Sequence, residues 1–596
     1  MDKKIRRILS AIMMPTLIMG LAACGGAPAD GVSGTESQTS QDGERRQGTV
    51  KLSFWAEVGS ANQQVLLEAV ENFNNTHENI AVTLVPQTTG YAANLSGALR
   101  GSNVPDVVMI DDKYFKGYVQ EGYLANLDEL IAKDTDFSLE GMWESAVNRF
   151  SFDPETGYSG TGDHYYAVPG GNNPTVLLYN ETLFAEQNIN VISVEEEELD
   201  GYNSANGSRY LGHGYYVYES APADGLKAAG DGTYRVFNNR IPMNWEELVQ
   251  LSQIFTKSYN SSSSSNFGFL NEWWFSHGWS VGGDCLEWDD TSGQYIFNLG
   301  DDSPNYLVTG SETVTVNGTS YQAGDVISYA DKNYVNGHLS DSDIAGYIGS
   351  EQLYELPSIR DAFTEFVRLS QTTGRTVTGD VKGYGISPSP TTLGNNSKAS
   401  YFTTGEVATV VLSWSECRNV GEVMKTLGKE WNVAPLYQYR EYNGDGSIKT
   451  VNGTPVCGRE AGHSYINGYA VPANAKNQEA AWEFVRYMAG EEGQSRLMKT
   501  QLIVPNQISL AESDAFLLDT DNYSAGNKAA VVDMAAIASV GDWSYVEDGE
   551  WINGWANILN TKVRDGDMTL DDFFSDATVL ETNELLKKYT SKKYNK

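Results

Sequence analysis

The sequence predicts an α/β protein built on a parallel sheet. Three strand patterns interleaved with two helical ones carry that prediction. "TVKLSFW" from Thr49, "IAVTLVP" from Ile80 and "PDVVMID" from Pro105 are short β-branched and aromatic runs. Between the first two, residues 61–75 place Leu66, Ala69, Val70 and Phe73 on one helical face. Between the last two, a helix is predicted near residues 95–100. Strand, helix, strand, helix, strand implies parallel pairing, because each return crosses through a helix. Ligands of such sheets gather at the carboxyl ends of strands, here Trp55 to Glu57, Pro86 to Gln87 and Asp111 to Asp112.

The segment before this pattern is of another kind. Lys3, Lys4, Arg6 and Arg7 precede sixteen uncharged residues, Ile8 to Ala23, which fall short of the roughly 20 that span a bilayer as a helix. They read as a secretory signal over residues 1–23. "LAAC" at Leu21 to Cys24 resembles the lipobox of bacterial lipoproteins, which implies cleavage before Cys24 and a diacylglycerol on its sulfur. Residues 25–48 are Gly, Ser, Thr, Ala, Gln and Asp with almost no large apolar side chain, so they cannot offset the entropy of ordering. Residues 24–48 are therefore read as a flexible tether, about 25 to 30 Å long as a coil. The expected place of the protein is the outer face of the cytoplasmic membrane, held by lipid.

Composition narrows the function. The 596 residues carry a formal charge of −37, and removing a signal with four basic residues and one acidic residue leaves −40. That field repels nucleic acid and anionic lipid. Beyond Cys24 the only cysteines are Cys285, Cys417 and Cys457, without C-x-x-C spacing, so no thiolate metal site is expected and at most one disulfide can form. "DTDNYSAGN" and "VRDGDMTLDD" lack the Gly and terminal Glu of an EF-hand loop and read as turns. No metal or cofactor is predicted. Neither a nucleophile elbow, HExxH nor a P-loop string occurs.

Three stretches read as insertions: residues 195–240, the hairpin signal "SETVTVNGTSYQAGDVISYA" around Asn317-Gly318, and the second hairpin "YREYNGDGSIKTVNG". The serine run Ser261 to Ser265 reads as a loop.

Nine segments in order, among them "LSFWAEVGS", "YYAVPGGNNPTVLLYNETLF", "YFTTGEVATVVLSWSE" and "GYAVPANAKNQEAAWEFVRYMAGEEGQ", resemble the carbohydrate-binding extracellular solute-binding proteins of bacterial ABC importers, the family of maltose-binding protein. They run from Leu52 to Ala577. The resemblance implies a type II periplasmic-binding-protein fold, two α/β lobes closing on a cleft about a hinge. On that template residues 49–166 and 437–508 form lobe 1, and residues 167–436 and 509–596 form lobe 2. It also implies an oligosaccharide ligand, ABC permease subunits as partners, a monomer, and no catalysis.

A sugar site needs flat aromatic platforms and polar groups in the plane of the ring. The resemblance places Trp55, Glu57, Asp111, Asp112 and Tyr114 at the cleft in lobe 1. In lobe 2 it places Asn172, Asn173, Glu272, Trp274 and the platform Trp414, with Trp551 or Trp555 as a third platform. Arg459 and His463 are weaker candidates. Three rival readings stand beside this one: a lipid-anchored glycoside hydrolase, which would also combine Trp platforms with carboxylates, a binder of another solute such as a peptide or a sugar phosphate, and a surface sugar-capture lipoprotein without a transporter.

Overall fold

The structure is a computed structural model. It describes residues 49–594 apart from 60–61, 155–161, 163, 290–291, 293, 317–318, 328–343, 520–523, 540–545 and 547–549. The signal, Cys24 and the tether lie outside the described residues, as does the Asn317-Gly318 turn.

The first strand, β1 (Val50–Glu57), buries Leu52, Phe54 and Ala56 on one face, an alternation its sequence dictates. Helix α1 (Gln63–Thr76) lays Leu66, Ala69, Val70 and Phe73 against it, the four residues the periodicity selects. β2 (Ile80–Gln87) follows, then α2 (Tyr91–Arg100), which starts a turn earlier than its apolar pattern because Gly90 supplies a left-handed entry at φ 64°. β3 (Val107–Asp111) runs into α3 (Asp112–Gln120), with the Asp111 carboxylate accepting the Lys113 backbone N–H at the helix start.

The second half of the sheet comes from β4 (Val168–Tyr179), β5 (Phe267–Leu270), β6 (Val407–Ser413), β7 (Asn432–Ala434) and β8 (Gly462–Ala470). The nine-stranded sheet has the order β2-β1-β3-β8-β4-β6-β5, with β7 also on β4 and the two-residue β9 (Ala538–Ser539) on β8. β1 pairs parallel with β2 and β3, as predicted. β8 is antiparallel to both β3 and β4, and thus joins the first three strands to the rest. Its contact with β4 is bulged: Ile466 faces Asn172 and Gly468 faces Pro169, so Gly170 and Gly171 together stand opposite Asn467. Gly171 has φ 139°, and a Cβ there would lie 2.5 Å from Ile503 Cδ1. Only glycine fits at that crossing.

One core packs β1, α1 and residues 481–489 around Phe54, Phe73 and Phe484, whose rings meet edge to face at 5.1 Å. A larger core lies on the other side and extends through β4, β6 and the helices of the second half. Residues 189–238 add a three-stranded sheet with its own cluster at Val194, Tyr210, Val236 and Ile241. Arg240, bonded to Glu195 and to Asp533 at 2.7 Å, ties it down. The hairpin signals are met by Val314–Val316 on Thr319–Tyr321 and by Thr450–Val451 on Thr454–Pro455. Among the described residues Cys285, Cys417 and Cys457 form no disulfide with one another. Among the described residues no helix is long and apolar enough to cross a membrane, and no cluster of metal-ligating side chains occurs.

His277 is 1% exposed, its ring 4.5 Å from Tyr437 and 5.3 Å from Trp245. Burial without a counter-charge holds its pKa down at about 3. The unfolded chain binds that proton near pH 6.5, so its contribution is complete above pH 6.5 and is lost as pH falls from there towards 3. Urea unfolding at pH 7.5 and 4.5 should therefore show a smaller acid loss for His277→Gln than for the parent, by roughly 2 kcal/mol.

Candidate ligand-binding furrow

At the carboxyl ends of β1 and β3, where ligands of parallel sheets gather, two cavities adjoin. One of about 350 Å³ is lined by Glu57, Tyr91, Asp111, Lys113 and Tyr114, among others. The other, of about 230 Å³, is lined by Asn173, Ser415, Tyr465, Thr500 and Leu502 with their neighbours. They share Met109 and Asn467 and so form one furrow. A third space of about 10 Å³ continues from Tyr465 to Trp273 and His463.

The register of β8 explains why these groups meet. Asn467 pairs with Asp111 of β3, and Tyr465 pairs with Asn173 of β4. On a strand otherwise buried, Tyr465 and Asn467 alone are exposed, two residues apart and so on one face. Asn173 is held by its neighbour across the furrow wall: its Nδ2 donates to Ser415 Oγ at 3.1 Å, and its Oδ1 accepts the Ser415 N–H at 2.8 Å. Lys113 Nζ lies 3.4 Å from Asp111 and 4.9 Å over the Tyr114 ring. Burial and the charges of Asp111, Asp112 and Glu416 push the Tyr465 phenol up to about 12, so it remains a hydrogen-bond donor at neutral pH.

The sequence-predicted residues divide. Glu57, Asp111, Tyr114 and Asn173 line the furrow. Trp55, Asp112, Asn172, Glu272, Trp274, Trp414 and Trp551 line none of the three cavities. Asp112 is instead buried against Arg149 at 2.7 Å, and Arg149 also donates to the Ser464 carbonyl of β8. Burial pushes the Asp112 carboxyl above the usual carboxylate range, and Arg149 limits the rise. Asn172 is fully buried, donating to Ala535 O and accepting from Ser464 Oγ, so its amide serves the sheet. Trp55 is half-buried on the core, its carbonyl taken by Tyr91. Glu272 is exposed, 4.0 Å from Lys398.

The tryptophan expectations need correction. Trp274 is 4% exposed, Trp414 1% and Trp551 0%, and none offers an open ring face. Trp414 directly follows the buried strand β6, but Ser413 and Glu416 form a capping box that starts helix α4 (Trp414–Leu427) there, and the indole packs inward towards Phe516. In the pair Trp273-Trp274 the first ring, not the second, reaches the cavities. Asn271 fixes that turn, since its Oδ1 accepts the Trp273 N–H and its Nδ2 donates to the Trp273 carbonyl. The buried Arg564 donates to the Asn271 carbonyl from below. Among the weaker candidates His463 lines the narrow space, while Arg459 is spent on the Trp279 carbonyl. Sequence reasoning missed Tyr465, Asn467, Ser415 and Trp273. The alternation in "HSYINGYA" signals the first two once that strand is known to lie mid-sheet.

A nine-stranded sheet joined by crossing strands, with a polar furrow at its strand ends, defines a solute-binding architecture. The chain belongs to the family of bacterial extracellular solute-binding proteins, which it matches over residues 68–530. A diacetylchitobiose binding protein of Streptomyces coelicolor is 24% identical over 292 residues, which cover 43% of this chain and 63% of that relative. The match thus spans less than two thirds of the curated relative. Among solved structures, an ABC substrate-binding protein of Listeria monocytogenes in complex with cycloalternan superposes with TM-score 0.53 at 15% identity, over 91% of this chain and 99% of that one. The sugar-binding protein MalE of Xanthomonas citri does so with TM-score 0.53 at 14% identity, over 91% and 98%. UgpB of Mycobacterium tuberculosis, in complex with glycerophosphocholine, gives 0.52 at 15%, over 91% and 99%. These likenesses establish the two-lobe, maltose-binding-protein-like fold.

Removing a fully packed indole leaves a cavity. Trp414→Ala should therefore cost about 3 to 5 kcal/mol in denaturant unfolding, with ligand affinity little changed among folded molecules.

Proposed function

We propose that the chain captures a neutral saccharide, an oligosaccharide by its likeness to oligosaccharide-binding relatives, between its two lobes and delivers it to the permease of an ABC importer. The observation that carries this reading is the pair Tyr465 and Asn467, exposed on a buried crossing strand and registered against Asn173 and Asp111. Tyr465 and Tyr114 supply apolar faces, and Asp111, Asn173, Ser415 and Asn467 supply in-plane acceptors and donors. Because these groups come from both sides of the bulged crossing, a ligand touching all of them favours closure, which is the differential affinity hinge motion requires. The net charge of −37 disfavours an anionic cargo. The diacetylchitobiose-binding relative and the cycloalternan complex support a saccharide over a peptide. The same support favours a binder over a hydrolase.

In this reading lobe 1 is residues 49–166 and 437–508, and lobe 2 the remainder of the folded body. The mature chain is a monomer, anchored by lipid at Cys24 to the outer face of the cytoplasmic membrane.

Calorimetric titration over a panel of oligosaccharides, with the products chromatographed, separates these readings: binding without cleavage is expected, and cleavage would establish the hydrolase. With a bound sugar in hand, Tyr465→Ala should weaken it by roughly ten- to hundredfold, through loss of ring contact and of the phenol donor. Cys24→Ser should move the protein from the membrane fraction to the medium or periplasm, as fractionation and blotting would record.

A further inference from the structure

One stretch of the chain reverses the sign of the rest. Residues 587–596, "KKYTSKKYNK", hold five lysines and no acidic side chain, in a protein whose formal charge is −37. Helix α5 (Ala577–Tyr594) carries most of them. Its first half is packed, with Val579, Thr582 and Leu586 buried at spacings of three and four on one face. Past Leu586 the helix continues for about two turns, or roughly 12 Å. Lys587 and Lys588, where that stretch begins, are exposed. The acids stop one turn earlier, at the exposed Glu581 and Glu584. Glu584 stands four residues before Lys588 and is placed to offset part of its charge. Lys592, Lys593 and Lys596 have no acid within four residues along the chain.

We propose that this end of α5 is a second membrane contact, which takes anionic phospholipid headgroups and orients the protein on the bilayer. The argument is one of range. At physiological ionic strength the Debye length is about 8 Å, so a surface senses the charges nearest to it rather than the net charge of the molecule. A lysine cluster spread over roughly 12 Å of helix therefore attracts an anionic bilayer that the acidic body repels, and the two forces together select one orientation. Tyr589 and Tyr594 each follow a Lys-Lys pair. Tyrosine suits the headgroup region, where its ring and its phenol are both accommodated. A bilayer is favoured over a soluble polyanion because the lipid at Cys24 holds the chain at one. The inference rests on that proposed location and is independent of the saccharide reading. Lysines without a buried acyl chain make a reversible contact, so the lipid holds the protein and the helix end orients it.

The test uses the mature chain carrying Cys24→Ser, so that the contact is read without the lipid and fails separately from the anchor. Low-salt cosedimentation with phosphatidylcholine vesicles containing about one-third phosphatidylglycerol should pellet the protein, and phosphatidylcholine alone should leave it in solution. Raising the salt to about 1 M, where the Debye length is about 3 Å, should release it. Each lysine replaced by glutamine should lower partitioning roughly fivefold. Lys587→Gln, Lys588→Gln, Lys592→Gln, Lys593→Gln and Lys596→Gln together should therefore reduce binding to the level seen with phosphatidylcholine, whereas arginine at the same five positions should preserve it. That pair of variants separates charge from folding. Equal binding to both kinds of vesicle, binding retained by the glutamine variant, or binding lost with arginine would each overturn the assignment. So would capture by immobilised heparin without binding to anionic vesicles, which would identify a soluble polyanion as the partner.

Discussion

The structure depends on one strand lying antiparallel between two others. β8 holds β3 on one edge and β4 on the other, so the parallel strands of the first half and the strands of the second form one sheet. That arrangement demands a backbone that bends at the crossing without losing its ladder. Gly170 and Gly171 meet the demand by standing two against one opposite Asn467, at a φ and a distance from Tyr469 and Ile503 that no side chain would tolerate. A bulge sharpens local twist and turns the facing residue outward. Asn467 lines both cavities of the furrow, and Asp111 and Asn173 flank it from either side because each is registered to the same strand.

A second device supports the first. Arg149 reaches both the Asp112 carboxylate, at the start of α3, and the Ser464 carbonyl, on β8. A buried ion pair of this kind gives little net stability over a hydrophobic pair, because both charges lose their water. What it does give is position, since the carbonyl and the helix start must lie where one guanidinium can satisfy both. Asn172 acts alike, bonding Ser464 from one end of its amide and Ala535 from the other. Asp112 and Asn172, expected at the cleft from the sequence, are thus placed in the bracing of the furrow's walls.

This division explains how much was legible in the sequence. The strands and helices from Thr49 to Asp112 were readable because their periodicity is local, and the helix face of Leu66, Ala69, Val70 and Phe73 is an i, i+3, i+4, i+7 pattern that no distant contact has to complete. Glu57, Asp111 and Tyr114 were readable because strand carboxyl ends are where such sheets present side chains. The tryptophans were not. Whether Trp273 or Trp274 faces the cavities is set by the Asn271 turn and by Arg564, a residue 293 positions away. Whether Trp414 caps a strand or opens a helix is set by the Ser413 and Glu416 box. "SWSE" contains that box, directly after the buried strand, but the box alone does not say which way the indole packs.

Tyr465 and Asn467 illustrate the other limit. Their alternation is visible in the sequence, but alternation shows only that two side chains share a face. It does not identify that face as a cleft, because an edge strand on the surface would carry the same pattern. The distinction comes from the neighbours of β8, since Asn467 is registered to Asp111 of β3 and Tyr465 to Asn173 of β4, both contributed by chain far earlier in the sequence. Asn467 lies mid-sheet, flanked on both sides by strands, yet is open to solvent, so its polar side chain stays hydrated. Water completes its hydrogen bonds in the open furrow, and in the proposed reading a ligand that takes the place of that water must supply equivalent donors and acceptors.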